Sequence, residues 1–439
     1  MVFNFNYFTK TAVIGVEIMR TPKIKITNCK IYAVGGCVRD FVLGLPENDI
    51  DYLIVGAGEK DMDSLGLTKV GKDFPVYLDD EGYEYALART EKKCGHGYNN
   101  FITTTDGVTL EEDLKRRDLT INSICYDFET SELLDPLNGI GDLKNKILRM
   151  SNSRSFIEDP VRIIRLARFN SRFSDFTIDP ETRQTILNMD SKDLEFGSIC
   201  AERINLEFEK MWKQCLDPSI YFRTLDDLGV LKLIAHEISD LKYIRENLEH
   251  HPEGNTFDHI MIALTKAKEL NLDVDCMWMV LTHDFGKITT KDSTKHLKHE
   301  ADGIPIVEGF CKRLRLTNSQ TMLCKLFCEQ HMRASKLKIM KSFKIADLFD
   351  KCKVDHTNVI IEKVMMCSII DKIGRAKDCE FPFTLEEVNS LVLAYKKRSG
   401  KDVIDIFTMW GNPIPQDESF KHELKILRGL EISKARRSS

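Results

Sequence analysis

Residues Tyr32–Gly56 read YAVGGCVRDFVLGLPENDIDYLIVG, and two hydrophobic periods meet within them. Ile31–Val34 is a short β-favouring run that stops at Gly35-Gly36. Val38, Phe41, Val42 and Leu45 then share one helical face, and Pro46 closes the helix. Asp49–Val55 reads as a second strand and Tyr83–Arg89 as a third. Past residue 110 apolar residues recur at helical spacing, and Pro160 stands where a helix begins. The predicted class is α+β, a small α/β head followed by a long all-helical remainder. The divisions expected are an N-terminal extension (1–29), the head (30–150), a helical neck and body (151–250), a histidine-rich helical domain (251–380) and a helical tail (381–439).

The composition bounds what such a chain can do. Sixty-three Lys and Arg against 68 Asp and Glu leave a net charge of −5. That excludes a histone-like basic protein, which holds nucleic acid by bulk charge, but not an enzyme with a local basic groove. With 439 residues, 42% of them hydrophobic, the chain can form two or three domains. No apolar run reaches the ~18–20 residues of a membrane span. The Ala12–Met19 run is broken by Glu17 and no small-residue cleavage site follows, so no secretory signal is expected, and Met19 is an alternative start. Thirteen cysteines, an odd number without a CxxC pair, fit buried thiols in a reducing cytoplasm better than a disulfide framework or a zinc ribbon. A monomer or a homodimer is compatible with all of this.

Asp49 and Asp51 are two apart on the second predicted strand, so a period of two turns both carboxylates to one face. Two acids so placed repel unless a cation lies between them, and hard oxygen donors suit Mg²⁺. The glycine pair between strand and helix lets backbone N–H groups approach a phosphate, and Arg39 adds charge for the same anion.

Taken together, Tyr32–Gly56 resembles the signature of the class II tRNA nucleotidyltransferase superfamily, the CCA-adding enzymes and bacterial poly(A) polymerases. The resemblance implies that Asp49 and Asp51 hold Mg²⁺ and that Gly35, Gly36 and Arg39 bind the incoming nucleotide. Farther on, EYALARTEKKCGHGY (Glu84–Tyr98) implies Glu84 as a third carboxylate, with Glu81 and Glu91 nearby as alternatives. LEEDLKRRDLTINSI (Leu110–Ile124) is similar to the family's RRD-containing motif and implicates Arg116, Arg117 and Asp118 near the ribose and phosphates.

FIEDPVRIIRLARFNSRF (Phe156–Phe173) resembles the family's base-reading helix. Pro160 fits a first helical position with Asp159 as its N-cap. Glu158 and Asp159 stand four and three residues before Arg162, within reach of its guanidinium, and Arg165 and Arg168 follow at intervals of three. A fixed Asp159–Arg162 pair presents a rigid donor–acceptor edge, by which the family selects CTP and ATP. CAERINLEFEKM (Cys200–Met211) also matches a family segment and is assigned a structural role.

Seven of the 11 histidines fall between His250 and His331. LTHDFGK joins His283 to Asp284, His259 lies in TFDHIMIAL, and Asp371 lies in SIIDKIGRA. This H…HD…D order resembles the HD phosphohydrolases. Imidazoles with carboxylates suit a transition ion, Ni, Mn, Co or Fe, whose bound water attacks a phosphoester. His299 and His331 are further candidates for the metal or the scissile phosphate. His331 is flanked by Gln330 and Met332, with no acid beside it to complete a second metal shell.

The resemblance as a whole is to long CCA-adding enzymes with an HD domain. It implies repair of the tRNA 3′ end with CTP and ATP, together with 2′,3′-cyclic phosphodiesterase, 2′-nucleotidase and phosphatase activities. A poly(A) polymerase or a partial CC- or A-adding enzyme uses the same head. The former carries a long basic C-terminal region, where this chain has only Arg428, Lys434, Arg436 and Arg437. A third alternative is a signalling hydrolase whose head only binds RNA, against which the intact Asp49, Asp51 and Arg39 argue.

Overall fold

The computed structural model describes residues 19–46, 49–71, 75–93, 101–190, 196–290, 295–377, 383–410 and 413–438. The chain divides into two compact units, Met1–Glu207 and Phe208–Ser439. In unit 1 the strands are β1 (Lys30–Val34), β2 (Asp51–Val55), β3 (Thr68–Val70), β4 (Val76–Leu78), β5 (Glu84–Leu87), β6 (Thr90–Lys93), β7 (Phe101–Thr104), β8 (Cys125–Asp127), β9 (Glu132–Leu134), β10 (Ile147–Leu148) and β11 (Thr177–Ile178). Seven of them form one mixed sheet in the order β3-β4-β5-β2-β1-β8-β9. β1 runs antiparallel to β2 and β8, whereas β2 and β5 are parallel.

Tyr52, Leu53 and Ile54 are all buried, because both faces of the sheet are covered. Tyr32, Val34, Leu53, Ala88, Val108, Leu114 and Cys125 form one core cluster. Tyr52 stacks on Tyr85 with ring centroids 4.7 Å apart, and its hydroxyl donates to the Arg20 carbonyl at 2.8 Å. Met19 is buried too. The described end of the expected extension is therefore packed against the sheet. Residues 1–18 lie outside the described residues.

The sheet is larger than the three strands expected. β8 and β9 lie in a stretch read as helical. At three residues each they are too short for a period of two to register, and their ladders with β1 and with each other define them. The first helix is Gly36–Val42, starting and ending earlier than the Val38–Leu45 reading.

Unit 2 is helical, with Arg245 and Asn255 in an isolated bridge among its described residues. Phe208, Trp212, Tyr221, Phe222 and Trp278 make its aromatic core, with Trp278 5.4 Å from Phe208 and 5.3 Å from Trp212 between ring centroids. Asp273 caps the helix Val274–Thr282 through the Cys276 N–H, and Thr317 with Gln320 forms a capping box on Asn318–Ala334. At the tail, Arg436 on the helix Asp417–Ser438 donates to the carbonyls of Met340 and Lys338.

One glycine fixes the seat of the RRD segment. A Cβ on Gly139 would stand 2.8 Å from the Thr120 carbonyl carbon and 2.9 Å from Ile124 Cγ1. Thr120–Asn122 is the short 3-10 turn that follows Asp118. Gly139→Ala is expected to destabilise unit 1 by about 1–3 kcal/mol through overpacking, read as a lowered unfolding midpoint in denaturant.

Candidate active sites

The unit 1 site grows from the register of two parallel strands. Asp51 opens β2 and faces Glu84, the first residue of β5. Asp49 precedes β2 and is exposed like Asp51, with Ile50 buried between them, as alternation requires. Glu81 pairs instead with Arg20 and Lys23, and the side chain of Glu91 lies outside the described residues.

Gly35 turns out of β1 at φ +79°, a region that suits glycine. A Cβ there would lie 3.3 Å from Arg117 Nη1 and 3.8 Å from Asp51 Oδ2. The bare backbone thus lets Arg117 approach the Asp51 carboxylate. Arg117 is held by Asp113, whose fully buried carboxylate also accepts from Arg116 and from the Arg89 N–H. Burial pushes the Asp113 carboxyl up, but Arg117 and Arg116 outweigh it and hold it low. The sequence reading missed Asp113, although it stands three and four residues before the two arginines.

Arg39 differs from its expected role. It is 3% exposed, donates to Asp40 at 2.9 Å and to Asn122 at 2.6 Å, and lies over Phe169 and Phe173. It braces the glycine turn from inside, with Nη2 3.6 Å from where a Gly36 Cβ would be.

The Arg-rich helix forms as Val161–Arg172, directly after the short helix Ser153–Glu158. The N-cap falls on Pro160, one residue later than expected, and Asp159 is instead the C-cap of the preceding helix while accepting from the Val161 N–H at 3.3 Å. Its main partner is a correction. Arg203 grips both Asp159 oxygens, at 3.2 and 2.9 Å, while Arg162 Nε stands 3.9 Å away and Arg162 Nη1 donates to the Ser155 carbonyl. Glu158 ends the preceding helix and is half-buried.

Arg165 and Arg168 are likewise tied down. Arg165 meets Asp118 at 2.8 Å and Glu207 at 3.4 Å, and Arg168 meets Glu207 at 2.6 Å. The segment given a structural role therefore supplies Arg203 to Asp159 and Glu207 to Arg165 and Arg168, the two standing four apart on the helix Ala201–Gln214. That i, i+4 pair was the signal available in the sequence.

In unit 2, His259, His283, Asp284 and Asp371 converge as expected from their order, although 112 residues separate the outermost two. His259 Nε2 lies 3.1 Å from Asp371 Oδ1, and His283 Nε2 lies 3.2 Å from Asp284 Oδ2 and 3.6 Å from Asp371 Oδ1. His299 and His331 join them, their Nε2 atoms 3.4 and 3.6 Å from Asp284 Oδ1. Buried Lys287 pairs with Asp284 at 2.8 Å and with Glu246 at 2.7 Å, and Glu253 stands between His251 and His259. Glu246, Glu253 and Lys287 were not singled out in the sequence, although Lys287 stands three residues after Asp284; the pairs made by Glu246 with Lys287 and by Glu253 with His259 cross loops and leave no spacing to read.

Burial alone would lower the His283 ring, but Asp284 and Asp371 outweigh it and push it up to about 10. Both carboxyls are held well below the usual range, against burial, by the histidines around them and, for Asp284, by Lys287. The pocket thus demands positive charge at its centre. His283 Nε2 and Asp284 Oδ1 are buried without a hydrogen-bond partner, and mixed imidazole and carboxylate donors suit a divalent ion.

These two sites define a nucleotidyltransferase head joined to a helical phosphohydrolase-type domain. Residues 31–149 match the poly(A) polymerase head domain and residues 256–372 the HD domain. A multifunctional CCA protein from Stenotrophomonas maltophilia is 36% identical over 380 residues, covering 84% of this chain and 93% of that protein. One from Xanthomonas oryzae is 38% identical over 353 residues, 79% and 85% of the two chains. The chain belongs to the family of multifunctional CCA proteins. Its fold is that of the Bacillus stearothermophilus CCA-adding enzyme solved in complex with CTP, with a TM-score of 0.62 at 20% identity over 93% of this chain and 89% of that one. Both domain types imply dependence on divalent metal, and among the described residues no helix is long and apolar enough to cross a membrane.

Asp118 gives a pH prediction. Burial pushes its carboxyl up, but Arg165, Asn122 and Arg162 outweigh burial and hold it far below the usual range. A depressed carboxyl stabilises the fold fully above its unfolded value, about 4, and loses that contribution as pH falls toward its folded value. Thermal unfolding of Asp118→Asn is expected to show a lower midpoint at neutral pH and a shallower loss of stability below about pH 4.

Proposed function

We propose that the head carries out template-independent addition and repair of the 3′-terminal CCA of tRNA, using CTP and ATP and releasing pyrophosphate. The HD domain, on this reading, hydrolyses phosphoesters as a 2′,3′-cyclic phosphodiesterase, 2′-nucleotidase and phosphatase. The observation that carries the first half is the register setting Asp51 opposite Glu84, with Gly35 and Arg117 beside Asp51. The name of the relatives supports the assignment to tRNA, and a cytoplasmic location follows from that substrate.

Asp49, Asp51 and Glu84 would hold Mg²⁺, while His259, His283, Asp284 and Asp371 would hold a transition ion such as Ni, Mn, Co or Fe. Such ions activate an attacking oxygen at neutral pH and neutralise charge on the phosphoryl group. Gly35 and Gly36 admit the triphosphate close to the backbone, and Arg117 donates to it from the hold of Asp113. Arg116 and Asp118 line the approach to ribose and phosphates, and Arg39 supports the turn from within. Glu158, Asp159 and Arg162 read the base, with Arg203 setting the Asp159 carboxylate. Arg165 and Arg168 keep the reading helix in position through Asp118 and Glu207. In the HD domain Lys287 neutralises Asp284 and Glu246.

The deciding experiment supplies a tRNA lacking its 3′ end with CTP and ATP, separately and together. Ordered addition limited to CCA is expected, whereas long extension with ATP alone would favour a poly(A) polymerase. Asp49→Ala and Asp51→Ala should each abolish addition while tRNA binding, followed by gel shift, persists. Near-parental incorporation by either variant removes the head assignment.

The two activities should also separate. The His283→Ala, Asp284→Ala double variant is expected to lose hydrolysis of 2′,3′-cyclic phosphates and to retain CCA addition. Circular dichroism must accompany the assay, since a lost ligand can unfold a metal-holding domain. A folded double variant that hydrolyses at the parental rate would make the polymerase the sole activity.

A further inference from the structure

The described end of the N-terminal extension takes its conformation from its own sequence. Pro22 has a fixed φ and keeps Thr21 out of the helical region. Pro22, Ile24 and Ile26 are half-buried while Lys23, Lys25 and Thr27 are exposed, the alternation of an extended chain with one side on the protein. Met19, 3% exposed, anchors its start. Among the described residues no strand pairs with this segment, so its backbone groups have no ladder to join.

Two tyrosine hydroxyls take the place of that ladder. Tyr52 donates to the Arg20 carbonyl at 2.8 Å, and Tyr85 accepts from the Lys23 N–H at 3.3 Å. The two buried rings stack and sit opposite each other in the β2–β5 register. A buried phenol needs a partner for its hydroxyl, and the segment supplies one at each tip. Tyr85 in turn donates to Asp79 Oδ2 at 3.3 Å, while Asp79 Oδ1 accepts from the N–H groups of Glu81 and Tyr83 at 3.0 and 2.9 Å. One chain of hydrogen bonds thus runs from residue 23 to the turn that delivers Glu84. Arg20 and Lys23 also hold the Glu81 carboxylate, and Arg20 donates to the Tyr83 hydroxyl. Glu81 is drawn to the segment, and Glu84 is left as the acid paired with Asp51 in the register.

Tyr52 follows Asp51 and Tyr85 follows Glu84, so alternation turns the rings and the carboxylates to opposite faces of the sheet. Asp51 and Glu84 are the first pair of a parallel ladder. Parallel strands have no hairpin between them to fix such an end. The segment grips the sheet at the very next pair.

We propose that residues 19–26 are a positioning strap for nucleotide addition: held on the hydroxyls of Tyr52 and Tyr85, they keep Asp51 and Glu84 at a fixed separation on the opposite face. This rests on the reading of those two acids as the head's metal ligands. The strap touches no reacting atom and acts through the two tyrosines.

In the full chain, Tyr52→Phe with Tyr85→Phe removes both strap bonds and keeps the stacked rings. Lys23→Pro removes the N–H that meets Tyr85 from the strap's side. Single-turnover CTP addition to a tRNA lacking its 3′ end is followed across a Mg²⁺ titration, and backbone hydrogen exchange is measured on the metal-free protein. Each variant is expected to lower the maximal rate on the order of tenfold, less than the ~100-fold that a 1 Å misplacement costs. The Mg²⁺ concentration at half-maximal rate should rise, the KM for tRNA should keep its parental value, and the amides of β2 and β5 should exchange faster. Circular dichroism verifies folding, and Tyr85→Phe alone replaces a double variant that unfolds. A parental rate and Mg²⁺ dependence in the folded variants overturn the proposal even where exchange quickens, since the strap is then structural only. Unchanged exchange in β2 and β5 overturns it as well, and so does a raised KM for tRNA at the parental maximal rate, which puts the strap on the RNA. A parental rate for Asp51→Asn in the same assay overturns the reading of the site instead.

Discussion

Asp118 meets Arg165 at 2.8 Å in a setting where the carboxylate is 6% exposed. Through that contact the RRD segment is tied to the helix Val161–Arg172, and through Glu207 the same helix is tied to Ala201–Gln214. A buried charge is tolerated only with a partner, and breaking such a pair costs far more than forming it gains. The consequence is geometric: each arginine of the helix is confined to the orientation its carboxylate permits. Asp113 does the same for Arg116 and Arg117, and Arg117 is delivered beside Asp51. The unit 1 site is a set of guanidinium groups aimed by buried acids.

Most of this was legible as residues and little of it as pairings. Tyr32–Gly56 disclosed strand, turn, helix and strand because periods of two and 3.6 are intrinsic to the chain. The same stretch could not disclose that Arg39 points inward, since a guanidinium beside a glycine turn suits an anion and a buried Asp40 equally well. The Asp159–Arg162 spacing suggested a pair that helix geometry allows, but Arg203, forty-four residues on, takes both oxygens. Strands β8 and β9 were missed because three residues carry no readable period. In unit 2 the order of His259, His283, Asp284 and Asp371 led directly to one pocket, whereas Glu246 and Glu253 follow from tertiary packing, and Lys287 was readable only as a residue three positions after Asp284.

The two sites use opposed donor chemistry. The acids at the starts of β2 and β5 are oxygen donors exposed to solvent, the donor type that suits a hard ion. The HD pocket is buried, rich in nitrogen and framed by Lys287 and Glu246, a donor mixture that suits an ion of intermediate softness. Free thiols fit the same picture. Every described cysteine is unbridged, and burial pushes Cys328, one turn from His331, up to about 12, so it stays protonated beside the imidazoles.

His283, His299 and His331 share a detail of backbone design. Each ring hands its Nδ1 hydrogen to the carbonyl three residues earlier, that of Val280, His296 or Cys328. Ring and acceptor therefore travel on one short piece of chain, and the tautomer is chosen locally before any long-range contact forms. Substitutions elsewhere in the domain can shift such a unit bodily but cannot turn its lone pair to the wrong nitrogen. The pocket is in this sense assembled from prefabricated parts, whose chemical identity survives changes in the packing that brings them together.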